Sequence, residues 1–245
     1  MAPLGRSRNG AIGAIINISE KNGSGIAIGT LSPARVEVTQ IYCGIVGLDN
    51  IKRVLEDCNE LRGVAVDAPL IIENRDGARP CENALSKVYR SKWAGCHPSN
   101  KSRFPNASSV KLSKWLEAKG LDHLGSGPGW QIEVYPHPAI IELFGLPARL
   151  KYKKGSLEEK REGQVELAGH IRTLDRTSTL SLIVPDSLSP FLDPGHIRTL
   201  SGLDLKHNED ALDALICLYV AGLYSSGHEM MVFGDTRTGY IVVPG

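Results

Sequence analysis

The chain has 245 residues, is 42% hydrophobic and carries a formal net charge of +1 at pH 7. That suits one large domain or two small ones with a real core, and it excludes disordered and fibrous classes and a protein that coats nucleic acid through bulk charge. No stretch approaches the roughly 18 apolar residues of a membrane span, and the five cysteines never form a C-x-x-C pair, so no membrane anchor, disulfide framework or zinc ribbon is expected and a reducing cytoplasm is the default.

Residues 10–18 and 25–31 are β-rich runs joined through Lys21-Asn22-Gly23-Ser24, whose Asn-Gly is a strong hairpin signal. The first run alternates and is broken by Gly10, Gly13 and Asn17, so it reads as a strand rather than a signal peptide. A third strand is predicted over 36–42. Apolar Ile51, Val54, Leu55 and Cys58 have helical spacing over 48–61, and the short apolar run 64–66 follows at once, ending in Asp67. Helix then buried strand points to an α/β sheet. Beyond it the reading gives a helix over 82–89, a Pro, Ser and Asn-rich loop over 96–107, a helix over 109–119 and a strand over 130–135. A short helix over 137–144 ends at Gly145, a charge-rich helix covers 157–174, and 176–202 reads as a long irregular excursion. A helix from Glu209 and a final hairpin, 230–233 with 240–243, complete the pattern: antiparallel strands first, then alternating helix and strand. Such an order favours one domain over 1–245, with a mixed sheet covered by helices.

The carboxylates carry the functional signal. Asp210 and Asp213 are three residues apart on one face of a helix whose next two turns contain no charge. Buried there, they must be paired, protonated or bound to a cation; the plainer alternative is that they favour the positive end of the helix dipole behind an Asn208 cap. Asp67 ends a buried strand, where open α/β sheets bind ligands. Glu133 interrupts the strand over 130–135, sharing a face with Gln131 and Tyr135. Carboxylates converging from two strands and a helix would offer the hard oxygen ligands that Mg²⁺ or Mn²⁺ prefers, and a pair of such ions can activate water against a phosphodiester. Two segments could track phosphates. One is the acid-free stretch between Glu82 and Glu117, with seven basic residues; the other is Lys151-Tyr152-Lys153-Lys154. Taken singly, each reads first as a solvated face.

The segments Val64-Ala-Val-Asp67-Ala-Pro-Leu70, Gly77-Ala-Arg-Pro-Cys81-Glu82, Ala94-Gly-Cys-His97-Pro-Ser-Asn100 and Glu133-Val-Tyr-Pro-His137-Pro are followed in order by Leu150-Lys-Tyr-Lys-Lys-Gly155, Glu209-Asp-Ala-Leu-Asp-Ala-Leu215 and Phe233-Gly-Asp-Thr-Arg-Thr-Gly-Tyr-Ile-Val-Val-Pro244. Together they resemble the blocks of domain-of-unknown-function family 429, classed as predicted nucleases of the RNase H-like fold. The resemblance covers about three quarters of the chain. It implies an RNase H-like, RuvC-like sheet and metal-dependent hydrolysis of DNA or RNA, with Asp67, Asp210 and Asp213 as Mg or Mn ligands and Glu133 as the family's strand glutamate. Arg79, Lys151, Lys153 and Lys154 are the candidates for phosphate contacts.

One departure matters. Members of this fold carry an aspartate on the first strand in a Gly-x-Asp context, and residues 1–10 contain no acid. If 10–18 is the second strand, Pro3 falls near the absent aspartate and the first strand is missing or truncated. The expectation is then a native start upstream of Met1, or an inactive chain. A catalytically degenerate nucleic-acid-binding or scaffold protein of the same fold is the alternative function. An ATP phosphotransferase is disfavoured because Gly23-Ser24-Gly25 leads into a strand rather than a helix N-terminus. Nucleophile chemistry through Cys96 beside His97 is weaker still, since adjacent residues rarely face each other.

Overall fold

The computed structural model describes residues 10–18, 23–127 and 129–245. In chain order the elements are β1 (Gly10–Ile16), β2 (Ser24–Leu31), β3 (Arg35–Ile45), α1 (Leu48–Glu56), β4 (Leu61–Asp67), α2 (Pro80–Tyr89), α3 (Ser108–Ala118), β5 (Asp122–His123) and β6 (Trp130–Glu133). Then come α4 (Pro136–Phe144), α5 (Leu157–Thr173), β7 (Ser181–Ile183), α6 (Pro194–Thr199), α7 (Gly202–Ser226), β8 (Met230–Asp235) and β9 (Gly239–Pro244). Seven strands form a mixed sheet in the order β5-β6-β4-β1-β2-β3-β7, and β8 pairs with β9 in a separate hairpin. This is an α/β fold, consistent with an RNase H-like arrangement. Among the described residues no helix is long and apolar enough to cross a membrane.

β1 corrects one expectation. It lies in the middle of the sheet, antiparallel to β2 and parallel to β4, which is the place reserved for the first strand. The central strand is therefore present, formed by Gly10–Ile16 itself rather than by residues before it. Small side chains at Gly13 and Ala14 and β-branched Ile12, Ile15 and Ile16 suit a strand buried on both faces. Pro3 and, of the expected hairpin turn, Lys21 and Asn22 lie outside the described residues.

Strand periodicity sorts the core into two layers. Ile12, Ala14 and Ile16 of β1 and Ala65 of β4 face one cluster with Leu212, Leu215 and Ile216 of α7 and Leu167 and Ile171 of α5. Ile15 of β1 and Val64 and Val66 of β4 face the other, with Leu48, Ile51 and Leu55 of α1 and Leu112 and Leu116 of α3. A third, smaller cluster seats the β8–β9 hairpin on α2 through Cys81, Leu85, Tyr89, Ile241 and Val243.

Two further differences from the sequence reading have simple causes. The excursion over 176–202 contains β7, which extends the sheet beside β3, and the short helix α6, whose Asp193 cap accepts the His196 N–H at 2.6 Å. Both elements are shorter than any periodicity can reveal. Helix α7 begins at Gly202, seven residues before Glu209, because its exposed first turn has no apolar stripe to announce it.

Candidate functional site

Asp67 follows Val66 at the carboxyl end of β4, so the strand's period of two gives it the face of Ala65, toward α7. On that helix Asp210 and Asp213 are buried at 2% and 1% exposure. The earlier helix start removes the capping explanation: both acids lie two to three turns inside α7, beyond the first-turn reach of the dipole. Asn208 is not a cap either, since its amide donates to Gln164 Oε1 at 2.9 Å. Carboxylates this deep need partners, and both have lysines. Lys206 Nζ lies 2.7 Å from Asp210 Oδ1 and 2.6 Å from Glu209 Oε1. Lys153 Nζ lies 2.7 Å from Asp213 Oδ2, while the Tyr152 hydroxyl donates to Asp213 Oδ1 at 2.6 Å.

The electrostatics follow from this placement. Burial pushes the Asp67 carboxyl up to about 7; Asp213 and Glu133 push the same way, and Lys153 and Lys206 oppose them. Burial likewise raises Asp210 against the pull of Lys206. Lys153 is disfavoured as a cation by burial, but Asp213 and Asp67 more than offset that and raise it. Close approach of α7 to the sheet is made possible by Gly25 of β2: a Cβ there would stand 2.9 Å from the Asp210 carbonyl oxygen.

Glu133 and Arg79 form a unit of their own. Val66 and Glu133 are register partners on β4 and β6, so Glu133 faces away from α7, opposite to Asp67. Arg79 Nη1 donates to Glu133 Oε2 at 2.9 Å, its Nη2 donates to Oε1, and Leu70 N–H adds a bond to Oε2 at 3.0 Å. The same guanidinium donates through Nε to Glu82 Oε1 at 2.9 Å and through Nη1 to the Ile71 carbonyl at 3.0 Å. Arg79 is 1% exposed, and these contacts hold its guanidinium inside the protein, apart from the exposed lysines named with it as phosphate contacts. Burial raises the Glu133 carboxyl while Arg79 opposes it. Asp67, Glu133 and Tyr135 still border a common cavity of about 160 Å³ at the end of the sheet.

The basic run lies alongside. Lys151 and Lys154 are exposed, and with Lys153, Arg149, His137 and Trp93 they line a second cavity of about 420 Å³. Tyr135 and His97 border both cavities, so the two adjoin. The segment is held from behind by α5, where Gly163 admits the Lys151 carbonyl oxygen to within 2.1 Å of where a Cβ would be.

Residues 21–238 match the model of the family described as "Protein of unknown function (DUF429)". The chain belongs to this family. No curated protein and no solved structure matches it. The matched stretch begins after β1 and contains every candidate site residue of this DUF429 chain. On β1 the register partner of Asp67 is Ile16, buried in the α7-facing cluster, and Asn17 follows with its amide donating to the Gly23 carbonyl at 3.1 Å. Among the described residues no acid stands at that end of the central strand.

The side chains of Asp67, Asp210 and Asp213 in this DUF429 chain carry oxygen donors of the kind that hard divalent cations prefer. The ammonium groups of Lys153 and Lys206 now supply the positive charge there. Among the described residues no three acidic, histidine or cysteine side chains converge as ligands. Sequence reasoning missed Lys206, which an earlier helix start would have put four residues before Asp210. It also missed Tyr152, embedded in the basic run, and His137 and Trp93, which only the tertiary fold brings to the same cavity.

Proposed function

We propose that this DUF429 protein is a nucleic-acid-binding hydrolase that cleaves phosphodiester bonds with a divalent metal ion held by Asp67, Asp210 and Asp213. The observation that carries the reading is the depth of Asp210 and Asp213: two acids two to three turns inside a core helix, with Asp213 near enough to the acid at the end of β4 to push its carboxyl up. A fold has no packing reason to keep them, since apolar side chains of similar volume would serve the core as well or better. Their counterions are long, partly exposed lysines, with 26% and 44% of the Lys153 and Lys206 side chains accessible, and such side chains can withdraw to solvent.

Magnesium or manganese, when bound, supplies an acidified water and neutralises charge on the scissile phosphate. The chain's own part is positioning. Arg149, Lys151 and Lys154 hold the backbone phosphates beside the acids, and Tyr152 fixes the orientation of Asp213. Lys153 and Lys206 hold positive charge beside Asp213 and Asp210 until a cation takes over. Asp67, raised to about 7, makes metal affinity climb through neutral pH. Glu133 and Arg79 support the wall of the site.

A second reading, a non-hydrolytic nucleic-acid-binding or scaffold protein, is favoured by Ile16 and Asn17 at the end of β1 and by the closed lysine pairs. Calorimetric titration with Mn²⁺ separates the two. Binding by the wild type that is lost in Asp210→Asn/Asp213→Asn, together with Mn²⁺-dependent cleavage of a mixed DNA and RNA panel, supports the hydrolase. No binding by the wild type sinks it in favour of the second reading.

A further inference from the structure

We propose that the cavity between the end of α2 and the 149–155 segment seats an unpaired nucleotide of a single strand, with its base stacked on Trp93 and its phosphates on Arg149, Lys151 and Lys154. This rests on the nucleic-acid reading above and adds the form of the substrate: a strand with a free base face.

Trp93 is the first argument. It is 66% exposed, among the described residues the second most exposed of the large apolar side chains, just behind Leu203 at 67%. It also has a φ of 64°, in the left-handed region that glycine usually fills just after a helix. This turn lets Ala94 N–H reach the Tyr89 carbonyl at 3.0 Å and close α2. A tryptophan here costs backbone strain and returns little burial, a combination that marks functional rather than structural use. Aromatic faces over a basic groove are how proteins hold single strands without reading their sequence.

His137 is the second. It is 9% exposed and borders the cavity, and its Nδ1 has no hydrogen-bond partner among the described residues. A buried orphan polar atom calls for a partner. Burial and then Lys153 push the imidazole down to about 4, so at neutral pH it meets a ligand as a neutral hydrogen-bonding ring, suited to a base edge or sugar hydroxyl.

Charge and size agree. Arg149, Lys151 and Lys154 form no ion pair among the described residues. Glu159, the acid at the rim, is occupied by Ser156 N–H at 2.7 Å. A volume of about 420 Å³ is within the usual range for small-ligand pockets, roughly 300–1,000 Å³. Arg149 N–H donates to the Lys92 carbonyl at 3.0 Å, which ties the basic wall to the tryptophan's own turn. From this seat the strand continues past Tyr135 and His97 toward Asp67. A base pair would hide the face that Trp93 needs, so duplex is disfavoured.

The test is fluorescence anisotropy of an end-labelled ten-nucleotide single strand, in EDTA and at low salt, so that no cleavage is involved. Wild type should bind the single strand at least tenfold more tightly than the matching duplex. Trp93→Ala should weaken single-strand binding on the order of tenfold, while Trp93→Tyr keeps most of it. Equal affinity of wild type and Trp93→Ala, equal affinity for single strand and duplex, or no binding at all overturns the proposal. A Trp93-dependent strand complex without cleavage under any metal leaves the inference standing and removes the hydrolase. Cleavage with unchanged affinity in Trp93→Ala does the reverse.

Discussion

Lys153 joins Asp213 across 2.7 Å, and it is the one lysine of the 151–154 run whose charge is closed by an acid of α7. The basic cavity and the carboxylate cluster therefore meet in a single ion pair. Asp213→Asn keeps an acceptor for the Tyr152 hydroxyl but releases Lys153. Metal binding and metal-dependent cleavage should be lost, at a stability cost of about 1–3 kcal/mol. Urea unfolding read beside a cleavage assay checks both, and retained cleavage would remove Asp213 from the chemistry.

Asp67 makes stability depend on pH. Its folded carboxyl titrates near 7, well above the 3.8 of an unperturbed aspartate, so the folded state holds the proton where the unfolded state has released it. The contribution is fully present below about pH 4 and is lost as pH rises through 7. Asp67→Asn should therefore stabilise the protein more at pH 8 than at pH 5. Urea midpoints at the two values test this, and an equal effect at both contradicts the raised carboxyl.

Arg79 serves two buried acids at once. Arg79→Ala leaves Glu82 and Glu133 without their cation and should cost about 3–5 kcal/mol, far beyond a surface arginine. Chemical denaturation measures it. A stable Arg79→Ala variant with weakened nucleic-acid affinity would return this residue to phosphate binding.

What could be read from the chain depended on range. Asp67 was legible because a four-residue window, Val64 to Asp67, carries both the strand and its end. Asp210 and Asp213 were legible as a buried pair from the uncharged turns that follow. Their true setting was not, because residues 202–204 form an exposed first turn of a helix, with no apolar spacing to mark it. The phase of Glu133 on its strand could be read, but its partner Arg79 is 54 residues away and no periodicity reports that. β1 was recognised as a strand and misplaced by one position in the sheet, since an expected aspartate, rather than a pairing partner, set the numbering. The meeting of Trp93 with the 149–155 segment is purely tertiary.

Gly163 is where α5 meets the basic run. In Gly163→Ala the new methyl would fall 2.1 Å from the Lys151 carbonyl oxygen and 2.8 Å from the Tyr152 Cα, backbone that cannot rotate away. The segment must shift, at roughly 1–3 kcal/mol, moving Tyr152 and Lys153 off Asp213. Thermal unfolding should fall together with single-strand affinity; a drop in stability alone would separate the basic run from the site.

Trp93→Gly should move two quantities in opposite directions. Relief of the left-handed φ should raise stability by up to about 1 kcal/mol, and removal of the ring should weaken single-strand binding. Calorimetric unfolding and anisotropy on the same sample check the pair.

Helix α7 is buried without interruption from Asn208 to Leu223 and packs on β1, β2, β3 and β4. Its 25 residues run about 37 Å at 1.5 Å per residue. Backbone amides in such a stretch exchange with solvent only when the whole molecule opens. Asp210 and Asp213 are thus carried on the part of the chain that native fluctuations expose least. A ligand gets to them through movement of Lys153, Lys206 and the loops around them, while the acids themselves stay where the core holds them.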